Sequence, residues 1–199
     1  MVGVERVSAR GEFRILAVME SDADIMRRVQ AGEVQLFELL VSRYHVRLLR
    51  FAISKLHDQP SAEDVVQETF LAAYQARQSY SDRFAFSTWI WTILLNLSRR
   101  SLKQQSRRQG ILRDYVAAQH VEAGSMPFPL SLERAEERER LQRWLDQLSE
   151  EESDAIRLRF YGGLKFEEVA LAMNSSVNGA KMRVRRGLLK LAELARTEE

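Results

Sequence analysis

Two short apolar periodicities meet at a polar break between Leu164 and Leu191, in the stretch LKFEEVALAMNSSVNGAKMRVRRGLLKL. Phe166, Val169, Ala170 and Met173 recur at steps of three and four, which is one face of a helix. Beyond the break, Ala180, Val184, Leu188 and Leu191 do the same. Between the two patterns stand Asn174, Ser175 and Ser176. Asn tolerates a left-handed backbone and Ser caps a following helix. The stretch therefore predicts a helix-turn-helix, and the rest of the chain is read as serving it.

The second of these helices carries Lys181, Arg183, Arg185, Arg186 and Lys190, with no acidic residue before Glu193. At about 100° per residue, Asn178, Met182, Arg185 and Arg186 fall opposite the apolar stripe, with Lys181 on its flank. Such a face suits a major groove, where Arg and Lys meet guanine edges or phosphates and Asn meets adenine. Met182 gains little from water but would have a partner in a thymine methyl or a sugar. A plain solvated amphipathic helix is the competing reading, and the preceding short helix and capped turn weigh against it.

The chain has 199 residues, 45% hydrophobic and 29% charged, which describes a globular protein rather than a disordered one. The formal net charge is only +2, so a nucleic-acid footprint has to come from local segregation of sign. Cysteine is absent, which removes disulfides and thiolate metal sites and agrees with a reducing cytoplasm. No apolar run is long enough to cross a bilayer, and the run FRILAVM near the start lacks a cleavage site. The expectation is a cytoplasmic protein without membrane insertion. With three Pro, nine Gly and helical periodicity almost throughout, the fold class expected is all-α.

In chain order, residues 1–20 show no sustained pattern and are read as a lead. Ser21 or Asp22 caps a helix through Ile25, Met26 and Val29 that Gly32 stops. A longer helix follows, with Phe37, Leu40, Val41, Tyr44, Leu48, Phe51, Ala52 and Leu56 at core spacing, and it ends before Pro60. Ser61 is expected to open the next, SAEDVVQETFLAAYQA, whose outer face is Asp64, Gln67, Glu68 and Leu71. A leucine among those residues fits either ordinary surface or a docking face for a partner helix.

QSYSDRFA is a polar loop, after which Ser87 or Thr88 begins the most aromatic helix of the chain. Trp89 is assigned to the core; Trp91, Asn96, Arg99, Arg100 and Lys103 are assigned to an exposed side. Basic charge beside aromatics and a polar loop suits single-stranded nucleic acid, whose bases need stacking platforms. Residues 109–131, containing Gly110, Gly124, Pro127 and Pro129, read as a flexible linker between a domain at 21–108 and a smaller one at 132–199. In the latter, Leu141, Trp144, Leu145 and Leu148 form a stripe, and Ser149 caps the next helix with Glu150–Glu152 in its first turn. Capping is also the reading given to Asp154. His45, His57 and His120 are scattered, and neither a phosphate cradle nor a nucleophile elbow is present, so no enzyme, cofactor or metal is expected.

With these pieces in order, the chain resembles the extracytoplasmic-function (group four) sigma factors of bacterial RNA polymerase. SAEDVVQETFLAAYQA resembles their region two polymerase-binding helix, FSTWIWTILLNLSRR the helix that reads the minus-ten element, and residues 148–191 their region four. The resemblance implies that Asp64, Gln67, Glu68 and Leu71 meet the β′ clamp helices of core RNA polymerase, with the β flap as a second contact. It implies that Ser79, Tyr80, Ser81, Asp82, Arg83, Phe84 and Asn96, with Arg99, Arg100 and Lys103, hold the opened minus-ten strand. It implies that Asn178, Lys181, Met182, Arg183, Arg185 and Arg186, helped by Arg159 and Glu167, hold the minus-thirty-five element of promoter DNA.

The linker would thread toward the polymerase channels, and an anti-sigma factor would hold the protein inactive. The family pattern Pro-Val-Gly-Thr-Val is replaced by Ser176-Val177-Asn178-Gly179-Ala180, and Gly187 stands where a better helix former is common. Two rival readings remain at this point. One is a dimeric helix-turn-helix regulator; the other is a helical protein that only sequesters a partner.

Overall fold

The computed structural model describes residues 20–113 and 132–197. Helix α1 (Asp22–Gln30) is capped by Ser21, whose side chain accepts from the Asp24 amide. Its end is turned at Gly32, where φ is 113° and only glycine is comfortable. Helix α2 (Phe37–Leu56) closes on His57 in the left-handed conformation, φ 58°. Helix α3 (Gln59–Gln75) begins two residues before the expected Ser61. Asp58 is the cap instead, its carboxylate accepting from the Ser61 amide at 2.8 Å. Pro60 lies in the first turn, where its missing N–H costs nothing.

A short 3-10 turn, Arg77–Ser79, leads through the polar loop to α4 (Phe86–Arg113). The expected linker thus begins inside that helix, and its remaining residues, 114–131, lie outside those described, as does most of the expected lead. Helices α5 (Leu132–Asp146), α6 (Glu150–Phe160), α7 (Phe166–Ala172) and α8 (Val177–Thr197) complete the chain. Among the described residues there is no strand, and the all-α expectation holds.

The core of the first half forms where α2, α3 and α4 cross. Phe51 and Trp91 meet edge to face at 5.4 Å, and Trp91 has no solvent exposure. This corrects the outward assignment of Trp91. Helix α4 is covered by α2 and α3 on one side and by α7 on another, so its buried sector is wider than the single stripe read from spacing. Trp89, assigned to the core, is only partly buried and packs on Tyr80 and Phe86.

The second half is the expected helix-turn-helix. Asn174 takes the left-handed conformation, φ 49°, and the Ser176 hydroxyl accepts from the Gly179 amide at 3.0 Å. Ser149 caps α6 in a reciprocal capping box with Glu152. Leu188 does not join the α8 stripe as expected and is 42% exposed. Gly187 takes the inward position: a Cβ there would lie 2.5 Å from Ile156 Cδ1, so α8 approaches α6 too closely for a larger residue without repacking. The helix propensity that Gly187 gives up, about 1 kcal/mol relative to Ala, is the cost of that approach.

The halves are packed on one another. Ala155, Leu158, Leu164, Val169, Ala170 and Ala180 are continuous with the core of α2–α4. Lys55 Nζ lies 2.5 Å from Asp154 Oδ1, and Arg99 donates to the other carboxylate oxygen at 3.0 Å. Asp154 is therefore an interdomain anchor and not a cap, which corrects the sequence reading. Arg157, buried from solvent, donates to the Ser54 carbonyl at 2.8 Å and hydroxyl at 3.0 Å. Its burial lowers the guanidinium pKa below the ordinary arginine value. Ser87 reaches Glu168 at 2.8 Å across the α4–α7 contact.

Candidate nucleic-acid interface

The outward face of α8 presents Asn178, Lys181, Arg185 and Arg186, all exposed, while Met182 is half-buried. Arg185 and Arg186 make no ion pair with a described residue. Arg183 is partly buried and paired with Glu151 at 2.7 Å, so it braces α8 against α6. Lys190 does the same with Glu152 at 2.7 Å, and that contact holds the Glu152 carboxyl below its usual range. Arg159 and Lys181 converge on the Phe166 ring, 5.3 and 5.9 Å from its centroid. Arg159 also donates to the Leu164 carbonyl at 3.0 Å, and Glu167 is exposed beside this cluster. The chemistry offered is an exposed basic helix face with one amide and one half-buried thioether, groups of the kind that meet phosphates and base edges in a major groove.

The loop after the 3-10 turn exposes Ser79, Ser81, Asp82, Arg83 and Phe84, the last 53% exposed. Tyr80 differs from its expected role. Its ring is buried against Phe86 and Trp89, and its hydroxyl donates to the Phe84 carbonyl at 3.2 Å. Burial raises the phenol pKa. Asn96, Arg100 and Lys103 are exposed on α4, but Arg99 is engaged by Asp154 and Glu150. Arg99 is thus not displayed with the other three, since the second half supplies it with carboxylates.

On α3, Asp64, Gln67, Glu68 and Leu71 form one exposed face, with Leu71 54% exposed. A shallow groove beside it is lined by Asp64, Glu68, Leu97, Arg100 and Gln104, so the acidic face and Arg100 share an edge. Among the described residues no helix is long and apolar enough to cross a membrane, and no cluster of His, Asp or Glu is placed to hold a metal ion. Lys55, Ser54 and Asp154, which join the halves, were not singled out for that role by the sequence. A lysine inside the apolar end of α2, AISKL, was the available signal.

The fold and these surfaces define an all-helical protein with a C-terminal helix-turn-helix of the DNA-binding kind. Residues 40–108 match the family model for Sigma-70 region 2, and residues 138–191 match that for Sigma-70, region 4. The chain is 31% identical over 177 residues to the RNA polymerase sigma-H factor of Pseudomonas aeruginosa, covering 85% of this chain and 91% of that one. It is 33% identical over 170 residues to the ECF RNA polymerase sigma-E factor of Escherichia coli K12, covering 82% and 88%. The solved structure of CnrH in complex with the cytosolic domain of CnrY has a similar fold, with TM-score 0.69, 23% identity and coverage of 90% and 100%. So does the sigma factor RpoE from Bartonella quintana, solved in complex with the anti-sigma factor NepR, with TM-score 0.64, 23% identity and coverage of 82% and 98%.

The chain belongs to the extracytoplasmic-function sigma factors of bacterial RNA polymerase. It is an alternative sigma factor, and sigma factors are non-enzymatic factors of transcription initiation. A dimeric helix-turn-helix regulator is not favoured, because the region 2 match takes in residues 40–108 that such a regulator would leave without a role.

Proposed function

We propose that the exposed face of α3 docks on the β′ clamp helices of core RNA polymerase through Asp64, Gln67, Glu68 and Leu71. The exposed loop residues Ser79, Ser81, Asp82, Arg83 and Phe84, with Asn96, Arg100 and Lys103, then hold the opened minus-ten strand, Tyr80 seating the loop from within. The outward face of α8 reads the minus-thirty-five duplex while its half contacts the β flap. Residues 21–108 and 132–199 act as the two working units, with 109–131 passing between them through the polymerase. The observation that carries this reading is the coexistence, in one chain, of a free acidic face with an exposed leucine and a free basic helix face. Each has the polarity its target requires. Arg99 joins the DNA contacts only when Asp154 releases it.

The protein works in the cytoplasm, where core polymerase is, and performs no chemistry of its own. An anti-sigma factor is the expected inhibitor, in keeping with the Bartonella relative solved with NepR. Run-off transcription with purified core polymerase and a random-promoter library tests the reading. Transcripts should start downstream of two short sequence blocks at fixed spacing, with none from core alone. Protection of a palindrome by a dimer without polymerase would overturn it.

A further inference from the structure

The loop Ser79–Phe84 is held from outside its own two helices. Gln30, in the last turn of α1, lies 47 residues before Arg77 in the chain, yet its Nε2 donates to the Arg77 carbonyl at 2.8 Å. The same Nε2 donates to the Tyr80 carbonyl at 3.0 Å. Gln78 returns the contact, donating to the Gln30 carbonyl at 3.2 Å. Both protons of one amide are thus spent on carbonyls at the two ends of the 3-10 turn: the Arg77 carbonyl, which also accepts the Tyr80 amide within the turn, and the Tyr80 carbonyl just beyond it. One turn earlier on α1, Arg27 reaches Asp82 at 3.4 Å. The far end of the loop is closed by the Tyr80 hydroxyl on the Phe84 carbonyl, with the Tyr80 ring seated on Phe86 and Trp89.

What this arrangement fixes is backbone, since Ser81, Asp82, Arg83 and Phe84 keep their side chains in solvent. A recognition loop whose backbone is set in advance loses less freedom on binding and presents its donors and acceptors at one spacing. A loose loop can still touch a strand but distinguishes its bases poorly. Gln30 lies outside residues 40–108, the span matched by the region 2 family model. A leucine of similar size would fill the same space without supplying either hydrogen bond, which separates positioning from packing.

We propose that Gln30 is a positioning residue for minus-ten selectivity, acting through the backbone of the Ser79–Phe84 loop. The inference rests on the assignment of that loop to the opened strand. The test uses full-length protein assembled with core polymerase and compares wild type with Gln30→Leu and Gln30→Glu. The readout is the ratio of initiation from a preferred minus-ten element to initiation from its single-base variants. The ratio should fall by about fivefold or more, the lower end of what one well-placed base contact contributes. Core binding and binding of a minus-thirty-five duplex should stay within about twofold of wild type, because α3 and α8 make no use of Gln30.

Amide exchange adds a readout independent of activity: faster exchange confined to Arg77–Phe84 is expected in both variants. An unchanged ratio in both, or exchange raised evenly throughout α1–α4, would overturn the proposal. If Gln30→Leu folds poorly, Gln30→Glu, which keeps the shape and removes the donor, decides by the same ratio. A wild-type holoenzyme that initiates at no promoter would instead defeat the functional reading, so the two failures are distinguishable.

Discussion

Asp154 has no solvent exposure and faces two cations from the other half of the chain, Lys55 and Arg99. Lys55 is itself almost fully buried and has Glu150 at 3.1 Å as its other partner. Removing one member of a buried ion pair strands the other, at a cost of about 3–5 kcal/mol. The halves can limit that cost by parting and letting Lys55 reach water. Asp154→Asn should therefore increase the radius of gyration measured by small-angle scattering, leave helical circular dichroism unchanged, and lower stability by roughly 3 kcal/mol at most, since Glu150 remains. Unchanged radius and unchanged stability would contradict this account of the anchor. Spacing did not disclose the role of Asp154, because an acid near a helix start satisfies the capping rules whether it caps or not. Ser149 and Asn174 were legible for the opposite reason: their roles are local, and a hydroxyl before three acids or an amide at a break leaves few alternatives.

At the scale of elements, helix existence was legible wherever one apolar stripe met one layer. Helix α4 defeated that logic, since cover on two sides buries Trp91 and leaves Trp89 half-exposed beside the loop. Helix α8 defeated it once more, because Gly187 and not Leu188 faces Ile156, and a glycine carries no hydrophobic signal. Helix α3 was read with the right outer face although its cap was placed at Ser61 instead of Asp58. That face carries a clear prediction. Asp64 is exposed and makes no ion pair with a described residue, so Asp64→Arg should leave folding intact. Reversing a charge at an electrostatically matched interface costs several kcal/mol, so capture of core polymerase should fall at least tenfold in a pull-down. Unaltered capture would remove α3 from the polymerase contact.

For the whole molecule, the two helical domains implied by the sequence are present. Among the described residues part of the second domain's apolar core is continuous with that of the first, while Leu145, Leu148 and Ile156 form a separate cluster. The contact surface between the domains was hard to read because its polar partners lie far apart in the chain, Ser54 and Arg157 by 103 residues, and only the lysine within AISKL stood out locally. The packing does not turn the α8 arginines inward: Arg185 and Arg186 stay exposed, and among the described residues Arg157 is the buried arginine. The central claim is that one half engages polymerase and opened strand while α8 grips intact duplex. Its most direct measurement is promoter-dependent transcription by holoenzyme carrying Arg185→Ala with Arg186→Ala. The account predicts loss of at least about tenfold in initiation, two groove contacts being worth more than 1.4 kcal/mol, with core binding retained. Full promoter-dependent transcription by that double variant would contradict it.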